Sequence, residues 1–328
     1  DLRIESRGYR NPWDIAFDHE FNFIGTDNDQ DQGDRVFHSF FGAHYGWGHP
    51  WSAHWRCDNH LPTPELVGPM FGGSGTGITY FDSPAFPPRL RGIWIFNDWL
   101  QRRTHFFQTK WQGAQLTLAG DQYSTLVSGG DALFKPTDLE IGPDGALYIL
   151  GWGREYGVQW DDKQRQINEG RIFRVSWKAN QAQAQLKQQH ERWNTPLKDW
   201  STTDLIDGLD DVLPVRRIAA QEELILRRDG PNKIYEALNN DSLSAQQTSW
   251  AIWAFIRSQY RQDTPNGPFH QLLTTGSAHQ RIQALRGLRY VTSRSGNTAN
   301  PKTRIDTKTI NVLKTSLFDD NARIRFEA

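Results

Sequence analysis

A short strand motif that recurs three times constrains the fold of this chain more than any other feature. The apolar triplets Ile15-Ala16-Phe17, Ile78-Thr79-Tyr80 and Leu139-Glu140-Ile141 lie 63 and 61 residues apart, and each is followed by a gap and a second strand pattern. Up to about residue 177 the other segments are also short β-patterns, broken by Gly, Pro, Asn and Asp. All-β repeats of this length are typical of propeller blades, and a propeller closes with roughly 4 to 8 of them. The pattern predicts a partial β-propeller of about three blades over residues 1–177.

The second half of the chain has a different period. From about residue 180, Gln, Ala, Leu and Arg recur at helical spacing. Similar helical segments begin at Arg217, Gln247, Arg281 and Arg323, which suits two-helix units resembling HEAT repeats. We therefore expect residues 178–328 to form a truncated α-solenoid of HEAT-like repeats. The position of the apolar residues within this repeat predicts side chains that face inward at Ile218, Leu224, Trp250, Ile282 and Leu288.

Charge and composition exclude several classes of function. The chain carries 37 basic and 38 acidic residues, so a net charge of −1 gives no electrostatic reason to expect nucleic acid or an anionic membrane as partner. No stretch reaches the ~20 apolar residues of a membrane helix, and a single Cys excludes a disulfide within the chain. The sequence starts without Met and stops in a helical pattern without a C-cap signal, so we expect the native protein to extend in both directions.

Arg10 and Asn11 precede the first strand pattern, at a position where propellers place loops around the central channel. The guanidinium fork of Arg suits a carboxylate, and Asn adds one donor and one acceptor. Together they could hold a planar carboxylated ligand; alternatively, Asn11 and Pro12 only form a turn.

The acidic segment 27–34 places oxygen ligands at alternate positions, as hard cations such as Ca²⁺ prefer. The candidate ligands are Asp27, Asn28, Asp29, Asp31 and Asp34. The spacing of Gly33 and His38 does not match an EF-hand. The alternative is a solvated polar loop without an ion.

Four other segments are candidates for a function. Residues 44–60 hold His49, His54, Cys57 and His60, which could bind a transition metal or simply stack on neighbouring aromatic rings. The glycine-rich stretch 72–77 lacks the Lys and the following helix of a phosphate loop, so we interpret it as a turn. Segments 97–103 and 151–156 place Trp beside Arg, a composition that could stack on a sugar ring or serve ordinary packing.

Several of these motifs carry a family resemblance. Gly8-Tyr9-Arg10-Asn11-Pro12, the acidic loop, residues 42–50 and residues 142–148 resemble the second half of the six-bladed quinoprotein glucose and sorbosone dehydrogenases. They are more similar still to the large membrane-bound dehydrogenases of planctomycete-type bacteria, in which HEAT-like repeats and often a c-type haem domain follow the propeller. The resemblance covers residues 1–177 and, more loosely, the remainder.

The resemblance implies a cofactor and the residues that bind it. Arg10 and Asn11 would contact pyrroloquinoline quinone, and backbone carbonyls at Asn28 and Asp29 would hold the Ca²⁺ that polarises it. The family's two further quinone-binding arginines fall on Lys135 and Thr137, so Lys135 is the third expected cofactor contact. The family's contact lysine falls near Arg102 and Arg103. The His base of the family would lie upstream of Asp1.

Two main hypotheses for function follow. The first is an exported dehydrogenase, periplasmic or extracellular, that oxidises a sugar or polyol and passes electrons to a haem domain outside this chain. The second is a catalytically silent propeller and solenoid that bind a glycan or a protein. A Ca²⁺-dependent hydrolase of the propeller lactonase type is a third, weaker alternative.

Overall fold

Short strands separated by turns fill the first half of the chain, and helices fill the second. The computed structural model describes residues 4–28, 33–47, 64–130, 134–153, 162–163, 170–178, 183–240, 243–259, 268–294 and 307–328. The chain divides into a strand-rich unit, Leu2–Asp18 with Asn22–Lys187, and a helical unit, Asp1 and His19–Phe21 with Gln188–Ala328. The change from strands to helices falls close to the change of amino-acid pattern near residue 180.

Within the described residues, the strand-rich unit holds three antiparallel sheets and a separate hairpin. The strand orders are β1-β2-β3, β4-β5-β6-β9 and β10-β11-β12, and β7 pairs only with β8. The strands are β1 Pro12–Phe17, β2 Phe23–Asp27, β3 Arg35–Ser39, β4 Gly75–Phe81, β5 Ile93–Asp98, β6 Arg103–Phe107, β7 Thr109–Gln112, β8 Gln115–Leu118, β9 Ser124–Ser128, β10 Pro136–Ile141, β11 Leu147–Gly151 and β12 Arg171–Val175.

All three sheets have the same register in their first two strands. The first strand of each begins with a matching pair: Pro12 with Asp27, Gly75 with Asp98, and Pro136 with Gly151. The register then shifts at a β-bulge, directly before the apolar triplet of the sequence repeat. In the first and third sheets an Asp lies at this bulge, and its carboxylate accepts from the next N–H, 2.8 Å from Ile15 N and from Leu139 N. Residues at matching positions of the three sheets can therefore be compared directly.

The first strands of the three sheets pack against one another. Strand β4 contacts both β1 and β10. The Ile78 N–H donates to Asp14 Oδ2 (3.0 Å), and Thr76 Oγ1 donates to the Pro136 carbonyl (2.8 Å). A Cβ at Gly77 would lie 2.7 Å from Asp138 Cα, so the close approach of β4 to β10 requires glycine there. Successive propeller blades pack in this way, and closure into a ring stays a prediction.

Aromatic side chains form much of the core of the strand-rich unit. Trp94 and Phe96 on β5 are fully buried. One buried cluster joins the first two sheets and the β7–β8 hairpin through Ile24, Val36, Val67, Ile78, Trp94, Phe96, Phe107, Leu116 and Leu118. A chain with 14 Trp and one Met thus packs its strands mainly with rigid rings and branched aliphatic side chains.

Capping residues and prolines set several of the helix starts. Ser201 and Asp204 form a capping box at the start of α2, and Pro214 opens α3. The helices are α1 Gln183–Arg192, α2 Thr202–Gly208, α3 Pro214–Leu226, α4 Gly230–Asn239, α5 Ala245–Gln259, α6 Pro268–Thr275, α7 Ala278–Arg294, α8 Thr307–Ser316 and α9 Ala322–Glu327. Short 3-10 turns cover Pro88–Leu90 and Leu197–Asp199. None of the helices in the described ranges is long and apolar enough to cross a membrane.

Alternate helices of the helical unit contact in succession. Helices α3, α5, α7 and α9 each pack on the next of this series, while α2, α4 and α6 pack on the helix that follows them in the chain. The predicted HEAT-like arrangement stays a prediction.

The predicted inward face of the helical unit is correct at four of five positions. Leu224, Trp250, Ile282 and Leu288 are buried. Ile218 is 47% exposed, so that part of the prediction was wrong. The reason is that α3 turns Arg217 inward, where its guanidinium donates to the Asp211 carbonyl and to Gln246.

Candidate functional site

Arg10 and Asn11 lie directly before β1, beside the end of β2. The Asn28 N–H donates to the Asn11 carbonyl (3.3 Å), and Arg10 Nη1 donates to the Asn28 carbonyl (3.1 Å). The Arg10 guanidinium also lies over the ring of Trp47, 5.6 Å from its centroid. The structure therefore brings the predicted ligand-holding pair together with Asn28 of the acidic segment.

The carboxylate of Asp27 is held by neighbouring donors. Asn11 N–H lies 2.8 Å from Oδ1, and Arg10 N–H lies 3.2 Å from both oxygens. Arg35 donates to Oδ2 from Nη2 (2.8 Å) and Nε (3.2 Å). Burial lowers the pKa of Arg35, and the bonds to Asp27 raise it against that effect. In this arrangement Asp27 fixes the backbone of Arg10 and Asn11.

The other predicted cation ligands differ in their surroundings. Asp34 is buried, and its Oδ2 accepts from Gly75 N–H at 2.6 Å. Asn28 is 8% exposed, and its Oδ1 is buried without a hydrogen-bond partner among the described residues. Asp29 and Asp31 lie outside the described residues. Across the part of the chain that the structure describes, no three His, Cys, Asp or Glu side chains are grouped to hold a metal ion.

One backbone contact recurs in all three sheets and defines a set of equivalent positions. The residue after the second strand donates its N–H to the carbonyl of the residue before the first strand. The pairs are Asn28 to Asn11 (3.3 Å), Trp99 to Ser74 (2.8 Å) and Trp152 to Lys135 (2.8 Å). Asn28 in the first sheet thus occupies the position that tryptophan occupies in the other two, and Lys135 is equivalent to Asn11.

Three residues at these equivalent positions, Ser74, Trp99 and Trp152, help to line a pocket of about 80 Å³ whose lining consists of tryptophan, serine and threonine residues. Its lining residues are Trp13, Ser74, Thr76, Trp99, Thr137 and Trp152. Trp13 and Trp152 are 51% and 52% exposed, whereas Trp99 is almost fully buried. Half-exposed indoles beside side-chain hydroxyls suit a ring that has both apolar faces and polar edges.

Sequence reasoning found part of this pocket. Trp99 and Trp152 belong to the two Trp-Arg segments that were candidates for stacking on a sugar. Trp13, Ser74, Thr76 and Thr137 were not singled out for such a role. The signal that could have found Trp13, Thr76 and Thr137 is their shared place, two residues before Ile15, Ile78 and Leu139 of the repeat.

Lys135 joins two walls of the pocket. Its Nζ lies 4.0 Å from the ring centroid of Trp99, and its carbonyl accepts from Trp152 N–H. Thr137, the other position where the family has arginine, lines the pocket and donates from Oγ1 to the Leu150 carbonyl (3.3 Å). Lys135 itself, like Arg102 and Arg103, is not among the lining residues.

Three carboxylates lie on the first strands of the sheets, outside the pocket lining. Burial raises the pKa of Asp14, and the charge of Asp138 raises it further. Burial likewise raises the pKa of Glu140, with a contribution from Asp138. These side chains therefore form a mutually repelling acidic group on β1 and β10.

The other residues that the sequence suggested as functional add little to the site within the described part of the chain. His49, His54, Cys57 and His60 lie outside them. His44 accepts a hydrogen bond at Nδ1 from Gly46 N–H (3.1 Å). Residues 72–74 lie in a bend before β4, whereas residues 75–77 of the same glycine-rich stretch belong to the strand, so the interpretation as a turn was wrong for its second half.

Part of what pyrroloquinoline quinone and Ca²⁺, the groups that the family resemblance implies, would require is present among the described residues. The unpartnered Oδ1 of Asn28 suits one ligand position of a hard cation. Arg10 and Lys135 are cations suited to two carboxylates of the quinone. Neutral Thr137 removes one charged contact relative to arginine, worth about 1.5–3 kcal/mol.

No protein-family model matches the chain, and no curated protein matches it in sequence. Among solved structures, it is similar to an oxidoreductase described as a glucose dehydrogenase from Thermus thermophilus, with 19% identity and a TM-score of 0.39 over 52% of this chain and 47% of that one. A soluble aldose sugar dehydrogenase from Escherichia coli in its apo form matches at 18% identity and a TM-score of 0.37, over 53% and 46% of the two chains. A quinone-bound aldose sugar dehydrogenase from Streptomyces coelicolor matches at 17% and 0.37, over 53% and 45%. The chain spans slightly under half the length of each of these structures.

Proposed function

We propose that the strand-rich unit is half of a six-bladed propeller in a quinoprotein-like dehydrogenase that oxidises a sugar or polyol. The shared register of the three sheets and the packing of their first strands support three successive blades. Because three blades cannot close a ring, further blades would come from chain outside this sequence. The succession of helix contacts in the helical unit supports HEAT-like repeats after the propeller.

The tryptophan pocket is the observation that carries the proposal. The half-exposed indole faces of Trp13 and Trp152 would stack on the C–H faces of a sugar ring, beside the buried Trp99. The hydroxyl of Ser74 would bond with hydroxyls on its edge. Such a pocket selects a small polyhydroxylated ring by shape and by hydrogen bonding, which is what an oxidase or dehydrogenase of sugars requires of its substrate site.

Arg10 and Asn28 would hold the quinone and its Ca²⁺. When bound, the quinone supplies a hydride acceptor. The chain's own contribution is to position these two residues. Asp27 and Arg35 fix the backbone before β1, and Arg10 contacts the Asn28 carbonyl. As part of the same proposal, the protein is exported to the periplasm or beyond, and electrons leave to a c-type haem domain outside this chain.

A second candidate is a catalytically silent module that binds a glycan or a protein. Thr137 favours it, because a neutral side chain lies where the family places a quinone-binding arginine. The tryptophan pocket would then serve recognition alone. Both candidates share ligand binding at the pocket and differ in whether oxidation follows.

Dye-linked oxidation by the full-length protein separates the two. The protein is loaded with pyrroloquinoline quinone and CaCl₂ and assayed with neutral aldoses, sugar acids and polyols. We expect quinone-dependent turnover that falls in Trp152→Ala and is unchanged in Trp177→Ala, a partly exposed tryptophan that stacks on Arg89 outside the pocket. Sugar binding without turnover under any loading condition would favour the silent module, and neither binding nor turnover would contradict both.

A further inference from the structure

We propose that Lys135 recognises a carboxylate on the sugar itself, so that the preferred ligands are acidic saccharides such as uronates and aldonates. This inference rests on the proposed function, since it names the substrate class of the same pocket. It assigns to Lys135 a specificity-determining role in place of the quinone contact that the family resemblance implies.

The position of the ammonium group is the first reason. Lys135 Nζ lies 4.0 Å from the centroid of the Trp99 ring, and Trp99 is a wall of the pocket. The backbone carbonyl of the same residue accepts from Trp152 N–H, which fixes the start of the lysine side chain beside a second lining residue. A ring stacked in this pocket would therefore carry its substituents within reach of a lysine side chain.

The second reason is that Lys135 lacks an acidic partner within the described residues. None of their ion pairs involves its ammonium group, and its one assigned contact is the face of Trp99. A cation over an indole gains roughly 0.5–2 kcal/mol, and the ring leaves the N–H donors free to bind an anion. A ligand carboxylate would supply the charged acceptor that the protein does not.

The third reason comes from the repeat. Lys135 occupies the position of Asn11 in the first sheet and of Ser74 in the second. Ser74 lines the pocket, whereas Asn11 and Lys135 are not among its lining residues, so this position of the repeat reaches the pocket wall directly in the second sheet. The third sheet differs by carrying a cation there, which turns a neutral position of the repeat into one that discriminates by charge.

The acidic group on the first strands does not compete for this role. Asp14 accepts from the N–H groups of Ile15 and Ile78, and Asp138 accepts from Leu139 N–H. Like Lys135, these two carboxylates and that of Glu140 lie outside the pocket lining, and it is the Lys135 ammonium that lies against a lining tryptophan, Trp99.

Calorimetric titration of the full-length protein with D-glucuronate and with D-glucose tests the inference. We expect glucuronate to bind roughly ten- to a hundredfold more tightly than glucose, the gain from one charged hydrogen bond. Lys135→Gln should remove this preference while leaving the affinity for glucose unchanged. Lys135→Arg should retain it, and Lys110→Gln, at an exposed lysine on β7, should behave as the parent protein.

A separate titration with pyrroloquinoline quinone distinguishes the two sources of a carboxylate. If Lys135→Gln weakens quinone binding and leaves the preference for glucuronate intact, the inference is wrong and Lys135 serves the cofactor. Equal affinity of the parent for both sugars would also overturn it, with the proposed function left standing. If neither sugar binds and Trp152→Ala changes nothing, the proposed function fails first, and this inference fails with it.

Discussion

Asp27 and Arg35 form an ion pair that is closed to solvent, with 2.8 Å between Oδ2 and Nη2 and side chains only 0% and 2% exposed. The same carboxylate binds the N–H groups of Arg10 and Asn11, and the same guanidinium donates to the carbonyls of Gly8 and Tyr45. This pair therefore connects the segment before β1 with the loop after β3. It explains why a buried carboxylate stands where the sequence suggested a metal ligand.

Replacing Asp27 with Ala should destabilise the strand-rich unit by about 3–5 kcal/mol, because Arg35 would be left charged and buried without its partner. Urea unfolding followed by tryptophan fluorescence measures the change. Arg91→Ala is the matched control, since its ion pair with Asp82 is partly exposed and should contribute about 1 kcal/mol or less. Equal losses in the two variants would contradict this account of the pair.

Gly73 and Asp98 should be coupled. A Cβ at Gly73 would overlap the carboxylate of Asp98, which accepts from the N–H groups of Ser74 and Gln101. Gly73→Ala should therefore cost about 1–3 kcal/mol of stability. In an Asp98→Gly background, which copies Gly151 of the third sheet, the same change should cost about 0.5 kcal/mol or less. Additive losses in a double-mutant cycle would show that the overlap is relieved in another way.

Leu224 and Ile218 on α3 provide a test of the helical face. Leu224 is fully buried, so Leu224→Ala should destabilise by about 2–5 kcal/mol. Ile218 is 47% exposed, so Ile218→Ala should change stability by about 0.5 kcal/mol or less. Chemical denaturation measures the change in the free energy of unfolding for both variants. A larger loss of stability in Ile218→Ala than in Leu224→Ala would contradict the exposed position of Ile218.

Asp14 should make the stability of the strand-rich unit depend on pH. Burial raises its pKa, so the folded state holds a proton that the unfolded state releases above about pH 3.9. Its stabilising contribution is present below that pH and is lost as pH rises through the raised pKa. Asp14→Asn cannot ionise, so its stability relative to the parent should increase between about pH 4 and pH 7.

Asp144 gives the opposite sign and serves as the control. Burial opposes ionisation there, but the hydrogen bond from Arg174 lowers the pKa of Asp144. Asp144→Asn should therefore lose stability relative to the parent as pH rises from about pH 2 to about pH 5, through the lowered pKa and the unfolded value. Urea unfolding measures Asp144→Asn over that interval and Asp14→Asn between about pH 4 and pH 7, and the same sign in both would contradict the assignment of Asp14.

The strands and helices could be predicted from the sequence because each has its own spacing of apolar residues. The triplets at Ile15, Ile78 and Leu139 lie at one register position of three sheets, as their spacing suggested. Arg10, Asn11 and Asn28 were expected at one site and lie together. Periodicity could not show that Arg217 turns inward on α3 in place of Ile218, because that depends on a long-range bond to Gln246.

The tryptophan pocket was harder to predict for the same reason. Its walls come from residues far apart in the chain, such as Trp13, Trp99 and Trp152, which only the packing of three sheets brings together. The ion pair of Asp27 could not be predicted either, since the composition shows a carboxylate but not the guanidinium of Arg35 that binds it. Sequence identifies the candidates in such cases, and the pairing of strands decides which of them meet.

Binding of a sugar at the tryptophan pocket is the central claim. The most direct test is calorimetric titration of the full-length protein with D-glucuronate, with the variants Trp152→Ala and Trp177→Ala titrated in parallel. The account predicts saturable binding by the parent protein and by Trp177→Ala, and affinity weakened roughly tenfold or more in Trp152→Ala, because one stacking wall is lost. Affinity unchanged in Trp152→Ala, or the same loss in both variants, would contradict it.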